Sequence, residues 1–226
     1  MKNNTWKLVV LLGVLMIAAA GLLCIYNVRQ NQAAEAYSEK IVEALKKDIP
    51  EPPAESAPAE SSAAEEDLFA PYEQQDESST AAEAPAIIID SDAYCGYLEL
   101  PSLGLELPVM SSWSYPALKK SPCRYSGSAQ TNDLIIAAHN YHSHFGRIGE
   151  LRTGDEIVFT DAGGSIFRYK VSFMEVIEGQ DVEQMFSGQS EDWDLTLFTC
   201  TLSGQSRVTI RADRIRDEAA DAEQTA

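Results

Sequence analysis

The chain has 226 residues and a formal net charge of -18, with 35 acidic side chains against 17 Lys and Arg. The excess is uneven: residues 51–92 carry twelve acids and no base, whereas residues 93–216 hold fifteen acids and eleven bases. The acidity therefore belongs to solvated connecting chain rather than to a globular surface, and no nucleic-acid partner is expected.

Residues 8–28 contain no charged side chain. As a helix at about 1.5 Å per residue this run spans roughly 30 Å, the thickness of a bilayer's hydrocarbon core. A cleaved signal peptide has an apolar core of about 7 to 15 residues, but here the run continues past Ala18-Ala19-Ala20 through Leu22, Leu23, Ile25 and Tyr26. Leu23 also stands where a lipoprotein cysteine such as Cys24 would be preceded by Gly or Ala. Residues 1–29 thus read as a cytoplasmic stub and an uncleaved signal anchor. Lys2 and Lys7 precede the span and only Arg29 closely follows it, so the positive-inside bias keeps the N-terminus in the cytoplasm. The expected location is the cell membrane, single-pass, with everything beyond Arg29 outside.

Residues 33–47 space Ala36, Ile41, Val42 and Leu45 as a helix does, which fits either a continuation of the anchor or a partly frayed stalk. Residues 49–86 are rich in Pro, Ala, Glu and Ser, with too little apolar content to offset the entropy of ordering. Residues 30–86 together read as stalk and disordered linker. From Ile87 the periodicity changes to β type. Strands are expected at 94–100, 105–109, 134–139, 156–160, 165–177, 195–200 and 207–215, punctuated by Gly104, Gly127, Gly154 and Gly163-Gly164. Helical turns fit 114–120, 146–151 and 182–186. Many short strands with few helices predict a mainly β domain over 87–216, a small barrel or sandwich in which closure would remove the edges. Residues 217–226 form an acidic, disordered tail.

The four cysteines, Cys24, Cys95, Cys123 and Cys200, include no C-x-x-C pair. A Cys95–Cys123 disulfide is left open by spacing alone. Cys200 ends the expected strand 195–200, with Thr196 and Phe198 on its face and Leu195, Leu197 and Thr199 on the other. A lone cysteine is more often a small buried hydrophobe than a nucleophile, so its neighbours decide. After Ser203-Gly204 the next strand begins at Arg207, and a hairpin brings Arg207 back beside Cys200. A guanidinium there favours a thiolate and a developing oxyanion. Arg211 shares the face of Arg207 and is the substitute candidate. All three histidines lie in His139-Asn140-Tyr141-His142-Ser143-His144. Their spacing matches neither His-Glu-x-x-His nor a Cys/His finger, so no metal and no cofactor is expected. Residues 134–138 read as a buried strand that delivers His139 to its end, where general acid/base work needs a firmly held imidazole. A thiol and an imidazole carried on strand ends are the parts of covalent acyl transfer.

Leu197-Phe198-Thr199-Cys200-Thr201 resembles the Thr-Leu-x-Thr-Cys signature of sortases, and Arg207-Val208-Thr209-Ile210-Arg211 resembles the arginine strand that follows it. Ala138-His139-Asn140 with Ser143-His144-Phe145-Gly146-Arg147-Ile148 is similar to the family's histidine segment, and residues 100–109 to its opening strands. The resemblance covers residues 94–214 and implies a closed eight-stranded β-barrel with short helices. It further implies a cysteine transpeptidase that cleaves a Leu-Pro-x-Thr-Gly type sorting signal of secreted proteins between Thr and Gly. The acyl group would then pass to a cell-wall precursor or pilin amine. Carried over, Cys200 is the nucleophile, His139 the acid and base, and Arg207 the oxyanion stabiliser; Thr199, Thr201 and Asn140 are substrate-binding candidates. Ala138 replaces the family's frequent Gly, and Thr196 stands just before the Cys200 match. Asp67-Leu68-Phe69 lacks the proline of the pilin-type lid, which disfavours that subclass. The competing readings are an anchored cysteine hydrolase on the same barrel and a non-enzymatic extracellular binding module.

Overall fold

The computed structural model describes residues 3–50, 85–179, 181, 184, 193–201 and 203–216. Residues 51–84 of the expected linker, the helical turn at 182–186 except for Gln184, the Asp67-Leu68-Phe69 segment and the tail beyond 216 lie outside the described residues.

Helix α1 (Asn3–Asp48) runs unbroken for 46 residues. Its apolar part, through Val28, is exposed along its length and is long and apolar enough to cross a membrane. The helical alternative for residues 33–47 is the one realised. There Ala34, Ser38, Ile41, Val42 and Leu45 turn one face inward at helical spacing and are buried.

Among the described residues nine strands follow: β1 (Ile87–Ile89), β2 (Asp92–Leu100), β3 (Leu105–Met110), β4 (Cys123–Ser126), β5 (Leu134–Ala138), β6 (Glu156–Asp161), β7 (Ile166–Glu178), β8 (Leu195–Cys200) and β9 (Ser206–Arg214). Eight of them close a ring in the order β2-β3-β4-β5-β8-β9-β7-β6, with β6 returning to β2. The closed eight-stranded, mainly β barrel is therefore present. Strand β1 sits outside the ring, on the same edge of β2 that pairs with β6 further along. The handover occurs at a register shift between Tyr94 and Gly96. Gly96 has φ +152 and lies so close to the Thr160 carbonyl that no Cβ would fit, so glycine makes the closing seam possible.

Strand β4 was absent from the expected set. Its residues, Cys-Arg-Tyr-Ser, lack apolar alternation, and it joins β3 through a single parallel pair, Met110 with Cys123. The expected turn at 114–120 is the short helix α2 (Tyr115–Leu118), whose Ser114 side chain accepts from Ala117 N–H at 3.1 Å as an N-cap. The turn at 146–151 is a 3-10 segment, Phe145–Glu150.

The barrel interior takes the inward residues of the alternating strands, among them Leu98, Leu107, Leu134, Ile136, Tyr169, Leu195, Leu197 and Ile210, together with Phe145 of the 3-10 segment. A second apolar cluster lies outside the ring under α1, where Ile41 and Leu45 meet Tyr94, Met110, Ala117 and Cys123. Each fully buried aliphatic side chain contributes on the order of 2 kcal/mol, so α1 is seated on the barrel by packing as well as by chain connection. Cys95 and Cys123 are both free thiols. Burial pushes each up to about 12, so neither is a nucleophile at neutral pH.

Candidate active site

Cys200 is the last residue of β8 and is only partly buried, unlike Cys95 and Cys123. Two pairings place its neighbours. In the antiparallel β8–β9 pair, Cys200 stands directly opposite Arg207. In the parallel β5–β8 pair the last partners are Ala138 and Thr199, so His139 and Cys200 follow side by side on strands about 4.8 Å apart. Histidine, cysteine and arginine thus meet at one end of three adjacent strands. Thr199 fixes the junction: its buried hydroxyl donates to the Ala138 carbonyl at 2.8 Å, clamping the strand ends that carry the two reactive side chains.

Thr201 starts the hairpin loop and governs it. Its amide donates to the Ser206 carbonyl at 2.9 Å, its carbonyl accepts from Gly204 N–H at 2.9 Å, and its hydroxyl accepts from Ser206 N–H at 3.3 Å. Gly204, at φ +74, supplies the left-handed turn. The Arg207 guanidinium donates through Nη1 to the Gly204 and Ser206 carbonyls, both at 3.1 Å. Among the described residues no carboxylate pairs with it. Gly179 gives it room, since a Cβ there would stand 3.3 Å from Nη1 and 2.5 Å from the Gln205 carbonyl.

Arg211, on the same face of β9, is differently employed. It is 1% exposed; Nε donates to Glu175 Oε1 at 2.8 Å, Nη1 to Thr196 Oγ1 at 2.7 Å, and Nη2 to the Gln184 carbonyl. Its guanidinium also lies 4.3 Å from the Trp193 ring centroid. That set of contacts ties β7, β8, β9 and the chain before β8 together.

His139 is half-buried, and burial holds its imidazole below the ordinary histidine range, with the Lys119 ammonium adding to the effect. At neutral pH the ring is largely uncharged and able to accept a proton. Its Nε2 is buried with no hydrogen-bond partner among the described residues. The loop that follows folds tightly on itself: the His139 carbonyl accepts from Phe145 N–H at 3.2 Å, and the Tyr141 carbonyl accepts from Gly146 N–H at 2.8 Å. A Cβ at Gly146 would come within 2.6 Å of the Asn140 carbonyl, so only glycine permits this closure. Asn140 is half-buried in this loop, next to His139. His142 is exposed, and His144 is fully buried with both ring nitrogens unpartnered among the described residues. Among the described residues no three His, Cys, Asp or Glu side chains gather as metal ligands do.

One feature of the site was not foreseen. Phe198, on the face of Cys200, meets Tyr125 of β4 edge-on at 5.4 Å, and Tyr125 in turn meets Trp113 at 5.4 Å. Strand β5 lies between β4 and β8, and the residue of β5 level with Phe198 is Ala137. Its methyl is small enough for the two rings to touch across it. The result is an aromatic floor beside the thiol. An outward Phe two residues before Cys200 was its only sequence signal.

A family model described as the Sortase domain matches residues 98–215, which run from within β2 to just past the end of β9. Sortase D of Bacillus subtilis (strain 168) is 28% identical over 107 residues, covering 46% of this chain and 53% of the relative. The chain thus matches about half the length of that curated relative. Among solved structures, sortase C from Clostridium perfringens SM101 is 25% identical, with a TM-score of 0.48 over 57% of this chain and 73% of that one. A Clostridium perfringens sortase D5 transpeptidase is 22% identical, with a TM-score of 0.49 over 57% and 83%. Since the family model spans more than half of the 226 residues and takes in the three strand ends that bring His139, Cys200 and Arg207 together, the chain belongs to the sortase family.

Proposed function

We propose that the protein is a membrane-anchored cysteine transpeptidase that joins secreted proteins bearing a C-terminal sorting signal to an amine of the cell wall or of a pilin. The observation that carries this reading is the register of β8: Cys200 faces Arg207 on one side, and on the other its neighbour Thr199 pairs with Ala138, the residue before His139. His139 takes the Cys200 Sγ proton as the sulfur attacks the carbonyl carbon of the Thr–Gly bond in a Leu-Pro-x-Thr-Gly type signal. Arg207 stabilises the oxyanion that develops. As the tetrahedral species collapses, the C–N bond breaks and His139 delivers a proton to the departing amine. The acyl chain is then a thioester on Cys200. An incoming amine attacks it and gives its surplus proton to His139, which passes it to the departing sulfur as the C–S bond breaks, restoring the thiol. The aromatic floor of Phe198, Tyr125 and Trp113 suits the apolar Leu-Pro part of the signal. Thr199 and Thr201 contribute by fixing the strand end and the loop, and Asn140, half-buried next to His139, would bond the acyl chain's polar backbone.

Helix α1 serves as the anchor, with the barrel outside the cell as the charges flanking the span require. The test uses the full chain in detergent micelles with a sorting-signal peptide and a primary amine. Peptide–amine conjugate should form in proportion to amine concentration while free acid falls. Free acid at an amine-independent rate, with no conjugate, would mark a hydrolase and overturn the proposal.

A further inference from the structure

Helix α1 does more than connect the barrel to an apolar span. Where it leaves that span it touches the loop that carries the candidate acid/base. Tyr141 Oη donates to Gln30 Oε1, His142 N–H donates to Asn31 Oδ1, and Ser143 Oγ donates to the Asn31 carbonyl, each at 3.2 Å. These bonds join residues more than 110 positions apart, so neither partner's local sequence dictates them. The docking is held by the buried stripe of Ala34, Ser38, Ile41, Val42 and Leu45, which fixes the helix over the next turns. The Tyr141 ring lies 5.1 Å from that of His139 and 5.5 Å from that of His144. A displacement of Tyr141 is therefore felt directly at the His139 imidazole.

Asn31 is three residues beyond Val28, the last apolar residue of the span, or about 4.5 Å along the helix axis. The headgroup layer is roughly 5 to 8 Å deep on each side of the hydrocarbon core. The loop 141–143 accordingly sits at headgroup depth.

We infer that the anchor helix is a positioning element of the active site: Gln30 and Asn31 hold the Tyr141–Ser143 loop, and through it His139, in register with Cys200 at the bilayer surface. This rests on the role given to His139 above. A catalytic group must be held within about half an ångström of its working geometry by its surroundings, and the 3-10 segment alone braces the loop from one side. The helix braces it from the other. The charged and titratable groups around His139 are Lys119 beyond α2, Tyr141 and His144 in its own loop, and Cys200 and Arg207 across the strand ends. Gln30 and Asn31 are uncharged, so a change at them reaches the imidazole only through its burial.

The experiment compares the full chain and its Gln30→Leu/Asn31→Leu double variant in lipid nanodiscs, with a sorting-signal peptide and a primary amine. The double variant should lose about tenfold in kcat with the peptide KM within twofold. The acid limb of its pH profile should move to higher pH, because a loosened loop exposes His139 and burial is what lowers its pKa. Hydrogen exchange at residues 140–146 should quicken while that of β5 and β8 stays unchanged. An unshifted profile with kcat within twofold would overturn the inference, as would a fall in kcat with neither a profile shift nor faster exchange. His139→Ala in the same nanodiscs separates the two claims: retained activity sinks the role of His139, whereas lost activity beside an unaffected double variant sinks only the role of the helix.

Discussion

The two ends of the β8–β9 pair present the same chemistry in opposite conditions. At one end Arg211 faces Thr196, is almost wholly buried, and has its guanidinium engaged by Glu175, Thr196 and the Trp193 ring. Four residues away on the same face, Arg207 faces Cys200, is half exposed, and among the described residues bonds backbone carbonyls of its own turn. One arginine is consumed by the fold, and the other is the one proposed to stabilise the oxyanion. The pattern repeats in the other reactive residue types. Cys95 and Cys123 are buried with their thiols pushed up to about 12, whereas Cys200 is partly open. His144 is sealed and pushed down to about 4, whereas His139 is half-buried, with burial lowering its pKa. Residue type is thus a poor guide to role, and position at the strand end is a good one.

The comparison breaks most sharply by substituting the open members. His139→Ala and Arg207→Ala should each reduce kcat/KM for transpeptidation by about 10²- to 10⁴-fold, with melting temperatures within a few degrees of the parent. Comparable activity in Arg207→Ala would mean that the charge beside Cys200 is not used. Arg211→Ala should do the reverse. Its loss leaves the Thr196 hydroxyl and the Glu175 carboxylate without that donor and removes the stack on Trp193, for about 2 to 3 kcal/mol of stability. For a barrel of this size that is on the order of 10 °C in melting temperature. A stable but inactive Arg211→Ala protein would exchange the two arginines' roles.

The histidines give a smaller effect with a definite sign. His144 is pushed below its ordinary 6.5 to about 4 by burial, with His139 adding a minor repulsion. Between those values the unfolded chain binds a proton that the folded chain does not, so stability is present above about 6.5 and is lost as pH falls toward 4. His144→Phe should remove about 2 kcal/mol of that loss at pH 5. Thermal unfolding of both proteins at pH 7.5 and pH 5 measures it, and equal acid losses would show that another group carries the sensitivity.

The sequence made the hairpin part of the site legible, because Cys200 and Arg207 are separated by one short loop and pairing follows from the turn. The alternation of 195–200 also predicted which residues face the core. The parallel meeting of β5 with β8 was not legible in residue spacing, since it joins His139 to Cys200 across 60 positions and depends on strand order. Only the resemblance put those two residues in one site. The different fates of Arg207 and Arg211 were also hidden, because Glu175 and Trp193 come from other parts of the chain. The aromatic floor and the Asn31 contacts with the histidine loop are long-range packing of the same kind. Strand β4 failed for a local reason: it has no apolar alternation, and its neighbours rather than its own propensity make it a strand.

The central claim is that Cys200 becomes covalently acylated. Intact-mass analysis of the full chain, quenched in acid shortly after mixing with a sorting-signal peptide and no amine, tests it most directly. The account predicts an adduct equal to the peptide's acyl portion, mapping to Cys200, absent in Cys200→Ala and discharged by added amine. Turnover of the peptide by Cys200→Ala, or an adduct on another residue, would contradict it.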